Sequence, residues 1–295
     1  MSLKSATSPL LIVLGAGERD YECLQLQQLA AEHPVLLLDP APQAWTWPYA
    51  AASWAIDLAQ EDLVADVVAS LAREGHVAGV TTYMEHHVPL AARLAEDLHL
   101  PSPGSAAMQA CRDKVLTRRM LVDHHVPSAR SFLVDGEQAA VECARSLGYP
   151  VVVKPRAMAG SAGVMRADSD EEVRRAVEMA SGASVLGLDA YAVPGVLVEE
   201  YLDGEEISAE CVVLAPQDIR IVAITRKRLG PEPRFLEAGQ QRGCGRRTPQ
   251  SPRGAAGGDA RDPGRGRPAR RHPCRATAHP ARAAGGRGQR PHGYR

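Results

Sequence analysis

Residues 149–210 combine a lysine, a flexible loop and several acids in an order suited to holding a phosphorylated ligand. Lys154 follows the apolar run Val151–Val153, and a lysine on a mostly buried strand is unfavourable unless an anion pairs with it. Phosphate and a structural carboxylate are the two candidate partners. The following loop, 159–163, favours phosphate, since small residues can turn backbone N–H groups toward phosphate oxygens. Its candidate ligands are Gly160, Ser161 and Gly163.

Acidic residues follow on two predicted strands. Glu199 and Glu200 end the first strand, and Glu206 and Glu210 alternate with apolar residues along the second. Carboxylates can bind an adenine amino group or ribose hydroxyls. Two plainer interpretations stay open, a strand end that turns at 203–204 and an alternation that reflects a half-buried strand.

A second lysine, Lys114, lies within the basic stretch 112–119, which is predicted to be part of one helix over 106–121. From the spacing alone, a solvated basic helix face is favoured over a ligand site for Lys114, Arg118 and Arg119.

The order and spacing of these pieces resemble the ATP-grasp superfamily, in particular its carboxylate–amine or carboxylate–thiol ligases and the related biotin carboxylases. The resemblance covers about residues 10–240. It implies that Lys154 contacts the α-phosphate and the adenine edge. It also implies that Lys114, forty positions earlier, reaches the phosphates from the other lobe, and that the loop 158–164 covers them.

The same resemblance gives each acid a role. It implies that Glu199 lies near the adenine amino group, that the backbone of Glu200 and Leu202 hydrogen-bonds adenine, and that Glu206 binds the ribose. The implied cofactors are ATP and Mg²⁺, and the implied partner is a small-molecule carboxylate that ATP converts to an acyl phosphate for attack by an amine. An amino-acid ligase is the favoured subtype, and the catalytic residues are not identified.

The sequence predicts an α/β fold in three parts. Alternating strands and helices over 1–105 indicate a Rossmann-like parallel sheet, and 106–240 is predicted to be an incomplete α+β ATP-grasp domain. The pair Gly15 and Gly17 is interpreted as a tight turn and not as a dinucleotide motif, because Tyr21 and Glu22 stand where the third glycine would fall.

Residues 241–295 differ from the rest in composition. They hold fourteen arginines and two acids, a side-chain charge of +12, against −13 for residues 1–240. They contain no Leu, Ile, Val, Met, Phe or Trp, so we expect disorder there. A natural polyanion-binding tail and the product of a shifted reading frame are the two explanations, of which we favour the second; nucleic acid is not an expected partner.

The metal-binding segment of the family is also missing, since no Glu and no Asn occur after Gln240. The chain is therefore expected to lack metal ligands and to be impaired as a ligase, apparently truncated after about residue 240. The alternatives are a nucleotide-binding remnant without turnover and a protein that binds nucleic acid through its tail.

The remaining expectations concern the environment of the chain. Six scattered cysteines without a CxxC pair indicate reduced, buried thiols, and no apolar run reaches the ~18 residues of a membrane span. We therefore expect a cytoplasmic protein without a membrane partner. The sequence leaves a homodimer open.

Overall fold

The computed structural model describes residues 8–183, 193–231, 233–235 and 237–242, so the tail beyond 242 and most of the predicted loop 181–193 lie outside the described residues. A four-stranded parallel sheet of order β3-β2-β1-β4 comes first. Its strands are β1 Leu10–Leu14, β2 Val35–Asp39, β3 Ala52–Ala55 and β4 Val77–Thr81. The helices between and after them are α1 Arg19–Glu32, α2 Glu61–Arg73 and α3 Val88–Asp97, with short 3-10 turns at Ala44–Thr46 and Glu85–His87.

Helices cover both faces of this sheet, which explains the unbroken apolar runs of its central strands. On β1, Leu10, Ile12 and Leu14 point into one core with α2 and α3, while Val13 points into a second core with Leu26 of α1. The predicted α/β architecture with a parallel N-terminal sheet is confirmed. The sequence did not reveal β3, whose residues are small and half-buried.

The predicted tight turn after β1 is present. Gly15 and Gly17 have φ of +75° and +68°, and a Cβ on Gly15 would lie 2.9 Å from Cδ2 of His87. The carboxylate of Glu22 lies at the start of α1, where it accepts the Glu18 N–H at 2.9 Å. In a dinucleotide site, the helix N-terminus is instead open to a pyrophosphate.

The prediction of a single helix over 106–121 is wrong. The segment forms α4 Ser105–Arg112 and α5 Lys114–Asp123. Asp113 between them is extended, and its carboxylate accepts the N–H groups of Val115 and Leu116 at 2.9 and 3.4 Å. Aspartate is among the preferred N-cap residues, so the break lies where a side chain can satisfy the first turn of a new helix.

A second sheet of order β5-β8-β6-β7 is antiparallel and packs against two helices. Its strands are β5 Ser131–Val134, β6 Val151–Pro155, β7 Met165–Ala167 and β8 Val196–Glu200, and the helices are α6 Gly136–Leu147 and α7 Asp170–Ser181. Ser169 caps α7 by accepting the Glu172 N–H, while the Glu172 carboxylate accepts the N–H of Asp168.

A third, antiparallel sheet of order β11-β10-β9 follows. It contains β9 Ile207–Ala215, β10 Asp218–Leu229 and β11 Glu237–Arg242, with the predicted hairpin turn at 216–217. The strand β11 was not predicted, because its residues are polar or small. A bridge between Met165 and Arg234 joins the second and third sheets.

The two faces of the third sheet differ in chemistry. The strand register places the ligand-type side chains Ser208, Glu210, Thr225 and Lys227 on one face. The other face is apolar and exposed; Ile207 is 57% and Ile219 60% accessible. Half-burial therefore does not explain the alternation along β9. The apolar residues of that face are Ile207, Ala209, Cys211, Val213, Ile219, Ile221 and Ile224, and Arg226 lies opposite Ile207 at one end of the face.

Two further findings bear on the predicted environment. The four described cysteines, Cys23, Cys111, Cys143 and Cys211, are half-buried or exposed, so the expectation of buried thiols is wrong for them. Among the described residues, none of the helices is long and apolar enough to cross a membrane.

Candidate functional site

The centre of the candidate site is a buried carboxylate held by two cations. Glu199 on β8 is 4% exposed and forms an ion pair with Lys154 on the adjacent strand β6. Arg118 on α5 donates from Nε to Oε1 of Glu199 at 2.8 Å and from Nη2 to Oε2 at 3.2 Å. The structural carboxylate that the sequence left open as a partner of Lys154 is thus present in the structure.

Lys114 reaches the same region from α5. Its ammonium donates to the carbonyl of Met158 at 2.8 Å, at the start of the candidate phosphate loop. Lys114 is the first residue of its helix and not a mid-helix residue, so the helix break directs it toward the end of β6. The predicted solvated face is therefore wrong for Lys114 and Arg118, whereas Arg119 is exposed.

A second ion pair fixes α5 against the strand that carries Lys154. Asp113 accepts two hydrogen bonds from Nε and Nη2 of Arg156, at 2.8 and 2.5 Å to Oδ2. The Lys114 N–H also donates to the Arg156 carbonyl at 3.2 Å. These contacts set the positions of the two lysines relative to each other, although they are forty residues apart in sequence.

The pKa values reflect this crowding of buried charges. Burial lowers the pKa of Lys154, and the carboxylate of Glu199 opposes that shift. Burial and then the charge of Lys154 lower the pKa of Lys114. Burial alone would raise the pKa of Glu199, but the hydrogen bond from Arg118 and the charge of Lys154 outweigh it, so the pKa is lowered and the carboxylate stays ionised.

The loop between β6 and β7 has the backbone that the sequence indicated. Gly160, Ser161 and Gly163 all have left-handed φ, at 64°, 60° and 70°, and the N–H of Val164 closes a turn on Ser161 at 3.2 Å. A Cβ on Gly160 would meet open space, whereas one on Gly163 would lie 2.7 Å from Ala183. Gly160 therefore lies at the open part of the loop and Gly163 at its packed base.

The segment after β8 holds the residues expected to contact adenine. The Glu200 N–H already donates to the carbonyl of Arg130 at 3.0 Å, and its carboxylate accepts from Nε of Arg130 at 2.7 Å. Leu202 is exposed, and within the described residues its N–H has no hydrogen-bond partner. Leu202 is thus the better placed of the two as a backbone donor.

The polar face of the third sheet carries the remaining candidates. Glu206 forms an ion pair with Lys227 at 3.0 Å. The Glu210 carboxylate accepts from Ser208 at 3.1 Å and from Thr225 at 3.2 Å. Glu206 directly precedes β9 and Glu210 lies within it, and both carboxylates contact the side chains of β10, Lys227 and Thr225, on the polar face.

The described residues form no group of three or more His, Cys, Asp or Glu side chains able to hold a metal ion. The acids of the site are instead engaged by Arg118, Arg130 and Lys227. The residues that the structure describes therefore do not fit Mg²⁺ held by protein ligands alone.

A cavity of about 390 Å³ opens beside this region, between α3 and the helices α4 and α5. His86 and Leu90 line it from the first sheet's side, and Gln109, Arg112 and Ala157 line it from the other. Arg112 also forms an ion pair with Glu85 at 2.8 Å, which ties α4 to the 3-10 turn before α3.

Arg118 is the site residue that the sequence analysis missed. A signal was available, because Arg118 lies four positions after Lys114, and residues at that spacing share one face of a helix. If Lys114 faces a ligand, Arg118 faces the same side.

Comparison with known protein families accounts for this arrangement. Residues 112–229 match the phosphoribosylglycinamide synthetase ATP-grasp (A) domain, and residues 34–102 match the ATP-grasp N-terminal domain. The chain belongs to the ATP-grasp superfamily. The first match covers the lysines and acids of the candidate site. The second covers β2, β3 and β4 of the parallel sheet.

Relatives of this ATP-grasp chain include phosphoribosylamine–glycine ligases. It is 26% identical over 210 residues to the uncharacterized protein y4rH of Sinorhizobium fredii, covering 69% of this chain and 41% of that protein. It is 33% identical over 114 residues to the phosphoribosylamine–glycine ligase of Yersinia pestis, covering 39% and 26%, respectively. The chain thus spans less than half the length of these relatives.

Solved structures show the same fold. The L-amino acid ligase of Bacillus licheniformis superposes with a TM-score of 0.61 at 22% identity, over 78% of this ATP-grasp chain and 53% of the ligase. An ADP complex of N5-carboxyaminoimidazole ribonucleotide synthetase superposes with a TM-score of 0.57 at 17% identity, over 75% of this chain and 55% of the synthetase.

Proposed function

We propose that this chain binds ATP in the space between the second sheet and the polar face of the third. The observation that carries the proposal is the meeting of Lys114 and Lys154 at one end of β6, where the ammonium of Lys114 binds the loop carbonyl of Met158 at 2.8 Å. Two cations beside a turn of left-handed residues form an environment suited to a polyphosphate.

The other candidate residues complete the proposed nucleotide site. Gly160, Ser161 and Gly163 would place backbone N–H groups near the phosphates, and Glu206 would bind the ribose. The Leu202 N–H and the carbonyl of Glu200 would contact the adenine edge, close to Glu199. The ADP bound in a structure of the same fold supports this assignment.

The proposed reaction is that of an ATP-dependent carboxylate–amine ligase of the amino-acid ligase kind. ATP would transfer its γ-phosphoryl group to a carboxylate oxygen, forming an acyl phosphate and ADP. An amine would then attack the acyl carbon, and phosphate would leave. The chain's own contribution is electrostatic, since Lys114 and Lys154 would offset negative charge on the phosphoryl group. No step is assigned to Mg²⁺, because the described residues do not form its site.

We further propose that ligation by this chain is impaired. Three acids of the candidate site, Glu199, Glu200 and Glu206, are paired with cations of the chain itself, which reduces their capacity to bind a metal ion. The alternative is a nucleotide-binding protein without turnover, which the same two lysines would serve equally well.

Calorimetric titration with ATP in the presence of Mg²⁺, together with an ADP-release assay with mixed L-amino acids, tests both statements. We expect saturable ATP binding and little or no ADP release. Failure to bind ATP would contradict the nucleotide site, and ADP release at a rate typical of ligases, on the order of 1 s⁻¹ or faster, would contradict the impairment.

A homodimer is the proposed assembly, formed through the apolar face of the third sheet. Five aliphatic side chains there, at Ile207, Val213, Ile219, Ile221 and Ile224, are 46–63% exposed. They present on the order of 500 Å² of apolar surface, which matches the apolar share of a standard interface of about 800 Å² per partner. Residues 243–295 lack large aliphatic side chains and do not suit this face, whereas a second copy does.

A further inference from the structure

The ion pair of Lys154 and Glu199 has a third member in Arg118. The two side-chain nitrogens of Arg118 reach both carboxylate oxygens of Glu199, at 2.8 and 3.2 Å, and Lys154 binds one of the same oxygens, Oε2. Two cations from different elements therefore end on one buried carboxylate.

This arrangement matters for any ligand that Lys154 binds. A phosphate at the ammonium competes with Glu199 for its positive charge, because the three N–H groups of Lys154 are then shared between two anions. Leaving a buried carboxylate without a partner is strongly unfavourable, so a simple Lys154–Glu199 pair would hold the lysine away from the ligand. The planar fork of Arg118 already makes two hydrogen bonds to Glu199 and can keep them when Lys154 moves.

We propose that Arg118 is a positioning residue of the nucleotide site, which keeps Glu199 paired while the ammonium of Lys154 turns to a phosphate of bound ATP. Arg118 acts through Glu199 and does not itself touch the nucleotide. This inference rests on the proposed ATP binding.

The placement of α5 supports this role. Arg118 lies one helical turn after Lys114, and the helix is anchored by Asp113, which caps it and binds Arg156. The guanidinium therefore approaches Glu199 from a fixed element and needs no rearrangement to hold it. Arg119, the next residue, is exposed and provides a matched control.

The test compares the affinities for ATP and adenosine by calorimetry in the wild type and in Arg118→Gln, Arg118→Lys and Arg119→Gln, with thermal unfolding as the check of folding. We expect Arg118→Gln to weaken ATP binding about tenfold or more and adenosine binding less than about threefold, since only ATP carries the phosphates to which the ammonium of Lys154 turns. The ATP affinity of Arg118→Lys, which keeps the charge, should lie between those of the wild type and Arg118→Gln. Arg119→Gln should bind ATP as the wild type does.

A double-mutant cycle separates this role from general support of the fold. In a Glu199→Gln background, Arg118→Gln should cause no further loss of ATP affinity, because a neutral amide does not need a cationic partner. If Arg118→Gln does not fold, the same cycle is measured with Arg118→Lys. Its loss of ATP affinity should then appear in the wild-type background and be absent in the Glu199→Gln background.

Two results would overturn the proposal while leaving ATP binding intact: wild-type ATP affinity in Arg118→Gln, or equal losses for ATP and adenosine. Absence of ATP binding by the wild type would instead overturn the proposed function, and this inference with it.

Discussion

Asp113 and Arg156 form an ion pair that joins the helix of Lys114 to the strand of Lys154. Asp113 accepts from Nε of Arg156 at 2.8 Å and at the same time caps α5 through the N–H of Val115 at 2.9 Å. One carboxylate thus stabilises a helix end and sets the relative positions of the two lysines.

Asp113→Ala should therefore lower both stability and ATP affinity. Loss of the cap contributes about 1 kcal/mol, and loss of the buried partner of Arg156 should bring the total to about 2–4 kcal/mol. Urea unfolding measures this change. Asp135→Ala is the matched control, because Asp135 is the N-cap of α6 but makes no capping hydrogen bond through its side chain. Equal losses in the two variants would contradict the assigned role of Asp113.

Gly163→Ala should destabilise the chain more than Gly160→Ala. Both positions have left-handed φ, so each substitution costs about 1 kcal/mol in backbone conformation. Only at Gly163 would the new Cβ collide, at 2.7 Å from Ala183 and 2.8 Å from Pro155, which adds roughly 1–3 kcal/mol. The midpoints of urea unfolding give the comparison, and similar midpoints would show that the base of the loop is not packed as described.

Stability should fall as the pH drops below 6.5, in part because of His87. Burial, with a smaller effect of His86, lowers the pKa of His87 from 6.5 to about 3. Between these values the unfolded state binds more protons than the folded state, so the stabilisation is complete above pH 6.5 and is lost as the pH approaches 3. His87→Leu should flatten the pH dependence of the unfolding free energy between pH 6.5 and 4.5. His124→Leu, at an exposed position, should leave it unchanged; equal effects would refute the assignment.

The apolar face of the third sheet should make association depend on concentration. Ile219→Lys places a charge within the proposed dimer interface and should shift the chain to the monomer, as measured by sedimentation velocity over a range of concentrations. Val212→Lys introduces the same charge on the opposite face, where Val212 pairs with Arg220, and should leave the dimer intact. A wild-type chain that stays monomeric at every concentration would rule out the dimer.

Much of the fold could be predicted from local patterns. The bounds of β1 and β5 could be predicted from the sequence, because Pro9 and Gly15 flank the first and Arg130 and Asp135 flank the second. The prediction of a single helix over 106–121 is wrong because Asp113 was not recognised as an N-cap, and its contact with Arg156, 43 residues away, is not visible in a local pattern. β3 and β11 were missed because their pairing with neighbouring strands, and not their composition, determines them.

The candidate site divides in the same way. Lys154 and the left-handed loop could be recognised from residue types, since a buried lysine and clustered glycines are local signals. The pairing of Glu199 with both Lys154 and Arg118 could not be recognised in this way. It requires the antiparallel register of β6 with β8 and the packing of α5 near these strands. The adenine, ribose and phosphate roles assigned to individual residues remain predictions.

The most direct test is the affinity of Lys154→Met for ATP, measured by calorimetry against the wild type. Loss of one charged contact with phosphate should weaken binding by about ten- to a hundredfold, while Arg175→Met, which removes an exposed cation of α7, should bind ATP as the wild type does. Wild-type affinity in a folded Lys154→Met protein would contradict the nucleotide site proposed for this chain.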